Sequence, residues 1–491
     1  MSQCHQQVAA ALTALFLGVA PLAAQAPMTL AQAIARAQEQ GHQAAAARDA
    51  LEAARHRNNA FSGSLLPQLS LRGTLPEYNR SIVPVLQPDG STVFRSQQQT
   101  STDLSMTLSQ QLPYTGGSIF VSSSLARYAV SGTRDFASWS STPVTVGVRQ
   151  DIFRPNMAKW DQREQHAQIQ FEERVYAESM EQIAIQTTQA FFDLYSARVG
   201  LDNAVKNAAV NDTLYTLNKG RFEIGRIGEN DLLQSELALL RARSSVQDAQ
   251  LEFDRAAAAL RLNLNLPAGT PLEIDVPRDV PEVNPDTAQA VAAALRNRST
   301  VSQVALNDVL ARRSISLAQV NSGIGATVQA SFGYNATAPE ARLAYQNLLD
   351  SRQFALTLEV PLWQWGSNSE NVAAAKADRE RMISLSQATL EQLAHDAHFA
   401  ALELAQAYRN VALSAKVDTV AGRRFDVAYN RYVIGRITID NLYIAQSEKD
   451  QAVSQFVLAL RNYWLAYYRL RLATAYDFET GRPIGVIGSG N

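Results

Sequence analysis

Arg221-Phe222-Glu223-Ile224-Gly225-Arg226-Ile227 returns later in the chain as Arg431-Tyr432-Val433-Ile434-Gly435-Arg436-Ile437, an offset of 210 residues (431 minus 221). The same offset carries Asp231-Leu232 onto Asn441-Leu442 and Asp151-Ile152-Phe153 onto Pro361-Leu362-Trp363. A register held without gaps over roughly eighty residues marks an internal duplication. The period is too long for a solenoid unit. It is the size of a subdomain, so two similar halves build one object.

Each copy of the phrase sits between two helical patterns. The first long helix is expected from about Pro155, which suits a first helical turn, to Lys219. Ile169, Tyr176, Ile183, Ala190, Ala197 and Ala204 recur every seven residues along it, as do Leu194, Leu201, Ala208 and Tyr215. The second is expected from about Asn368 to Asn430, with Leu390, Ala397, Leu404 and Val411 in step. Such a span at ~1.5 Å rise makes a rod close to ~100 Å, and a seven-residue period means supercoiling against neighbours. Beyond Gly225, Leu232, Leu239, Val246, Phe253 and Leu260 form another such row. Beyond Gly435 the equivalent positions are Leu442, Lys449, Phe456, Tyr463 and Leu470. Each half therefore reads as a helical hairpin, and alanine clusters at 256–259 and 373–375 allow close helix approach.

Between the helices lie strand patterns. Leu104, Met106 and Leu108 alternate with Ser105, Thr107 and Ser109; Val144, Val146 and Val148 with Thr145, Gly147 and Arg149; Phe354, Leu356, Leu358 and Val360 with Ala355, Thr357 and Glu359. Leu69 and Leu71 flank Ser70, and residues 117–128 and 325–334 alternate less cleanly. Period two with one apolar face is the strand signal, and such ribbons suit the wall of a membrane barrel. A soluble sandwich is the alternative, but it offers little for helices this long to cap. Phe153 and Trp160 in the first half, and Trp363 and Trp365 in the second, are placed at strand ends. Amphipathic rings there suit a membrane interface; packing at a strand-to-helix bend explains them equally well.

Composition narrows the class. Net charge is −2 with 18% charged residues, which disfavours nucleic acid. Length alone suggests about three domains at ~150 residues each, but the duplication argues for one continuous architecture. Val8–Ala20 is apolar and is followed by Ala24-Gln25-Ala26, so residues 1–26 read as an export signal. The pattern has no Lys or Arg before the apolar run, and Pro27 makes cleavage after Ala24 the fallback. Cys4, the single cysteine, would leave with the signal. Nothing after residue 30 supplies the ~18 apolar residues of a spanning helix, so entry into a membrane requires a closed barrel.

The order helix, strands, long helix, glycine turn, helix, occurring twice, resembles the TolC-like outer-membrane efflux proteins, the outer-membrane factors. Leu65-Leu66-Pro67-Gln68-Leu69-Ser70-Leu71 resembles that family's entry into its first strand. Val360-Pro361-Leu362-Trp363-Gln364-Trp365-Gly366 resembles its exit from the last strand, and the two Ile-Gly-Arg-Ile turns resemble its periplasmic tips. The resemblance implies a mainly α fold with a membrane β-barrel portion. In it, duplicated helix–strand–helix halves build an α-helical tunnel from long coiled-coil hairpins and an outer-membrane β-barrel shared by a homotrimer. It implies a channel-tunnel of a tripartite export system, with a periplasmic adaptor (a membrane fusion protein), an inner-membrane transporter and outer-membrane lipid as partners. No chemistry, cofactor or metal is implied. The alternatives are an exit duct for type I protein secretion and, in another class, a soluble periplasmic coiled-coil scaffold.

The expected layout is a first repeat at 27–265, with barrel strands within about 65–153 and a helical hairpin at 155–264. A Pro-rich linker follows at 266–286. The second repeat spans 287–475, with strands about 324–363 and a hairpin at 366–474, before a tail at 476–491. The first half carries about fifty extra residues between 76 and 140, including strand-like 103–112 and 117–128 around a tight turn at Leu112–Gly117. An extra hairpin in the wall would give six strands per chain and eighteen per trimer; one folded outside would leave twelve. By the resemblance, Ile224, Gly225, Arg226, Ile227, Ile434, Gly435, Arg436 and Ile437 meet the adaptor. Asp231, Asp440 and Asn441 are candidates for a gate at the tunnel mouth, where a ring of like charges favours cations; the two aspartates also read as plain helix N-caps. His395 and His398, three apart on a helix, lack a third ligand, and a solvated face is the default.

Overall fold

A computed structural model describes residues 27–131 and 135–485. The expected export signal at 1–26, with Cys4, and residues 486–491 of the expected tail lie outside the described residues.

Local chemistry sets the element ends. Thr29 caps α1 (Leu30–Gln40) with a capping box, its hydroxyl accepting from Gln32 N while Gln32 Oε1 accepts from Thr29 N. After α2 (His42–Ser64) come four strands: β1 (Gln68–Leu86), β2 (Thr92–Gln111), β3 (Ser118–Ser131) and β4 (Phe136–Ile152). Two helices follow, α3 (Met157–Glu223) and α4 (Glu229–Asn263), then α5 (Thr287–Asn297) and α6 (Ser299–Asn321). The second half supplies β5 (Gly325–Ala338), β6 (Leu349–Glu359), α7 (Ser367–Val433) and α8 (Ile439–Thr474). Both α3 and α7 contain 67 residues. None of the described helices is long and apolar enough to cross a membrane.

The described residues form two compact units. One comprises 46–179, 285–401 and 470 onward. It holds an antiparallel sheet of six strands in the order β1-β2-β3-β4-β5-β6, besides a short antiparallel pairing of Tyr476–Asp477 with Arg482–Pro483. The extra hairpin of the first half is thus part of the sheet. Register places like with like across it. Leu69, Leu108, Val121, Val146 and Phe332 are successive cross-strand partners up to Arg352 on β6, and so are Ser70, Thr107, Ser122, Thr145, Gly333 and Ser351. One face is therefore apolar and the other polar, as period-two alternation dictates. The apolar face is exposed among the described residues: Leu71, Leu356 and Phe354 are 68%, 60% and 72% exposed.

The strands outrun their alternation. Tyr78–Leu86 pairs with Thr92–Thr100 through a stretch without clean period two, because ladder hydrogen bonds need no apolar partner. The ladder slips between Thr74 and Glu77, around Pro76, and between Ser141 and Val144, around Pro143. Proline has no N–H to give a ladder and sits at such bulges. At the second bulge the buried Ser141 hydroxyl donates to Ala344 O, docking the β5–β6 connection on the sheet.

The strand-to-helix junctions differ from expectation at two points. Helix α3 begins at Met157, not Pro155. Asn156 is the residue that caps it, its Oδ1 accepting from Lys159 N at 3.1 Å while its Nδ2 donates to Pro113 O at 2.6 Å. Trp160, expected at a strand end, lies on the first turns of α3, with the Arg163 guanidinium 5.1 Å from its ring. Arg313 of α6 binds Asp161 and Glu164 on another face of the same turns. Further along, Glu178 receives Ser299 N at 2.6 Å and its hydroxyl at 2.8 Å, so a carboxylate from α3 caps α6.

The other unit comprises residues up to 45, 180–284 and 402–469. Met28–Thr29 pairs in parallel with Ile274–Asp275. Buried Leu214, Phe425, Tyr432, Ile439 and Leu442 form one core cluster where α3, α7 and α8 meet. Heptad positions expected to face inward do so at Leu239, Leu260, Leu404, Val411 and Tyr463. Polar ties join the helices across this core. Asn207 Nδ2 donates to Asp450 Oδ2 at 2.6 Å, and Arg461 pairs with Asp193 at 3.0 Å.

Candidate functional site

The two repeat turns are built alike. Helix α3 ends as Gly225 N donates to Phe222 O and Arg226 N to Arg221 O, both at 2.8 Å. Helix α7 ends as Gly435 N donates to Tyr432 O at 2.9 Å and Arg436 N to Arg431 O at 2.8 Å. This is the Schellman arrangement, which places a residue in the left-handed region just past the helix. Gly225 and Gly435 take it, at φ 72° and 74°. A Cβ added at either would touch nothing within 4 Å, so the glycines are required by backbone conformation rather than by space.

The structure brings both turns to one place. Arg221, Arg226, Ile227 and Asp231 from the first, and Tyr432–Gly435 with Ile437–Asp440 from the second, line a cleft of about 570 Å³. Ile224 and Ile434 stand 68% and 63% exposed, while Ile227 and Ile437 are half-buried and Arg226 and Arg436 exposed. Two bare isoleucines beside two arginines make a mixed surface suited to a protein partner.

The carboxylates lie near the helix starts but do not cap them. Gly228 is the N-cap of α4, without a side-chain bond, and Asp231 falls in the first turn. Asp440 falls in the first turn of α8. The N-cap reading is thus corrected: both aspartates face the helix dipole from inside the helix, where anions are favoured. Asp440 Oδ1 accepts from Gln234 Nε2 at 2.8 Å. Asn441 Nδ2 donates to Thr438 Oγ1 at 3.0 Å, so its amide serves the turn itself.

Several residues of the site carried no sequence signal. The Tyr432 hydroxyl donates to Asn218 Oδ1 at 2.9 Å in a buried setting, tying α7 to α3 one turn from the tips. Arg221 Nη2 donates to Val433 O at 3.1 Å, and its guanidinium lies 5.4 Å from the Tyr432 ring. Burial, with Tyr432 and Asp440 nearby, pushes the Tyr443 hydroxyl up to about 12, so it stays protonated. A hint was available in Arg221 and Arg431, the basic residue that opens both copies of the repeated phrase. The Asn218–Tyr432 bond had none, because the duplicate positions are Ala428 and Phe222.

The aromatics expected at the strand ends divide between junction and helix. Phe153 and Trp365 adopt left-handed backbone, at φ 62° and 50°, and are 72% and 89% exposed. Trp363 and Trp365 make an edge-on pair with ring centroids 5.3 Å apart. Bulky residues held in that region mark strained junctions. His395 and His398 instead contact the Phe399 ring, and no cluster of metal-binding side chains is present among the described residues.

No family model matches the chain, and no curated protein matches it by sequence. Solved structures do match its fold. The outer membrane channel CmeC of Campylobacter jejuni superposes with a TM-score of 0.66 at 15% identity, over 92% of this chain and 86% of that one. The fold is that of an outer-membrane channel protein. The outer membrane protein VceC of Vibrio cholerae matches with a TM-score of 0.65 at 12% identity, over 91% of this chain and 96% of its own. The open-state MtrE outer membrane channel of Neisseria gonorrhoeae gives 0.64 at 15% identity, over 91% and 88%. Each of them shares the fold over at least nine-tenths of this chain.

Proposed function

We propose that this protein is the outer-membrane channel-tunnel of a tripartite export system. The observation that carries the reading is the sheet: six strands, one face apolar and bare, and no pairing between β1 and β6 among the described residues. A soluble chain buries such a face or blunts such edges. A bilayer accepts the face, and only closure removes the edges. Six strands close most readily by joining copies, so three protomers build one barrel of eighteen strands. The fold relatives are themselves described as outer membrane channels.

In this reading the helical hairpins of 155–264 and 366–474 contribute to a shared α-helical tunnel, and the linker 266–286 joins the repeats. Ile224–Ile227 and Ile434–Ile437 receive the periplasmic adaptor, through which an inner-membrane pump delivers cargo. Asp231 and Asp440 set the charge at the tunnel mouth, with Asn441 holding the turn. Phe153, Trp160, Trp363 and Trp365 sit at the membrane interface. The protein performs no chemistry. Membrane fractionation with crosslinking tests this: an outer-membrane, heat-modifiable trimer supports it, and a water-soluble monomer refutes it in favour of a periplasmic scaffold.

A further inference from the structure

A cleft of about 590 Å³ lies between the last turns of α2 and the first turns of α3. Its polar lining holds the two cations Lys159 and Arg163, with His166, Asn58, Gln162 and Gln165 beside them. Phe61, Leu65 and Ile169 form an apolar side. No carboxylate lines it, because the two acids of this helical stretch, Asp161 and Glu164, are both held by Arg313. The Arg163 guanidinium also lies over the Trp160 ring, 5.1 Å from its centroid. Chain continuity places the cleft at the end of the sheet. Residues 65–67 lead from α2 into β1, and 153–156 lead from β4 into α3. The apolar face starts there, at exposed Leu66 and Leu69.

The duplication supplies an internal control. At the offset of 210, Lys159, Arg163 and His166 become Ser369, Ala373 and Lys376. The fold therefore does not demand this cationic face, since the second half builds the same helix with a single cation there.

We propose that this cleft binds the anionic phosphate headgroup of a membrane lipid at the rim of the apolar face. The inference rests on the outer-membrane reading above. Arginine grips phosphate oxygens in a bidentate fork, lysine adds a point charge, and the amides take the remaining acceptors. The apolar side accommodates the glycerol and the start of the acyl chains. The volume falls within the range of ordinary small-ligand sites.

The test is native mass spectrometry of the full-length protein in detergent, titrated with phosphatidylglycerol, phosphatidylcholine or glycerol phosphate. The wild type should retain phosphatidylglycerol preferentially. The Lys159→Gln/Arg163→Gln/His166→Gln variant should lose about tenfold in that affinity with assembly unchanged, since each basic residue near a membrane surface adds to anionic-lipid attraction. The Lys159→Arg/Arg163→Lys variant should keep it. Equal retention of both lipids, or undiminished preference in the triple variant, overturns the proposal. So does binding of glycerol phosphate as tight as that of the lipid. A chain that never enters bilayers overturns the channel reading as well, whereas an embedded trimer without lipid preference overturns this proposal alone.

Discussion

Tyr432 and its repeat counterpart Phe222 differ by one hydroxyl, and that hydroxyl donates to buried Asn218. Asn218 Nδ2 has no partner of its own, so Oδ1 is the amide's single anchor. Tyr432→Phe should therefore cost about 1–3 kcal/mol, the usual penalty for orphaning a buried polar group. Thermal unfolding of the helical unit checks it. Tyr443→Phe is the contrast: its hydroxyl is buried and already unpartnered, so removal should be close to neutral or stabilising. Gly225→Val with Gly435→Val should abolish export while trimers still form, because the space is open and the strain confined to the turns; normal export in the double variant would remove the docking role. Asp231→Asn with Asp440→Asn should reduce cation selectivity in single-channel conductance, and unchanged selectivity would return both residues to a purely local role at the helix dipole.

At the scale of elements, hydrogen-bonded ladders and buried pairs explain what pattern alone did not reach. The repeat offset and the two glycines announced both hairpins and their turns, since left-handed backbone is a demand the residue type displays. Alternation announced the strand centres, where one side is apolar. It fell silent over residues 76–102, where both sides of β1 and β2 carry polar groups and pairing rests on the backbone. It also missed Asn156, because a cap is a geometric act that Pro155 beside it seemed to explain. Asn218 was illegible for a further reason: its partner lies 214 residues away. Helix pairing also makes a pH prediction. Burial raises the Asp450 carboxyl above its ordinary value, with Asn207 partly opposing this. A carboxyl raised in the folded state binds protons there more readily than in the unfolded chain. It therefore weakens the fold at neutral pH and ceases to do so as pH falls through the raised value towards 3.8. Asp450→Asn should thus raise the melting temperature at pH 7.5, with the gain shrinking as pH is lowered; a gain that grows on acidification would contradict this.

For the whole molecule, one chain presents half of each requirement. Its sheet has the two-faced composition of a barrel wall but leaves β1 and β6 as edges. Its tips carry exposed isoleucines and arginines that nothing among the described residues covers. In the proposed reading both incompletions are met by assembly: the edges by further copies of this chain, the tips by an adaptor. The extra hairpin of the first half belongs to the sheet, so the assembly should be wider than one built from four strands per chain. The direct measurement is a cryo-electron microscopy reconstruction of the full-length protein in lipid nanodiscs. The account predicts a threefold particle whose membrane-embedded wall contains eighteen strands, with β1 of each protomer paired to β6 of the next. A monomer, or a twelve-stranded wall with the β2–β3 hairpin folded outside it, would contradict it.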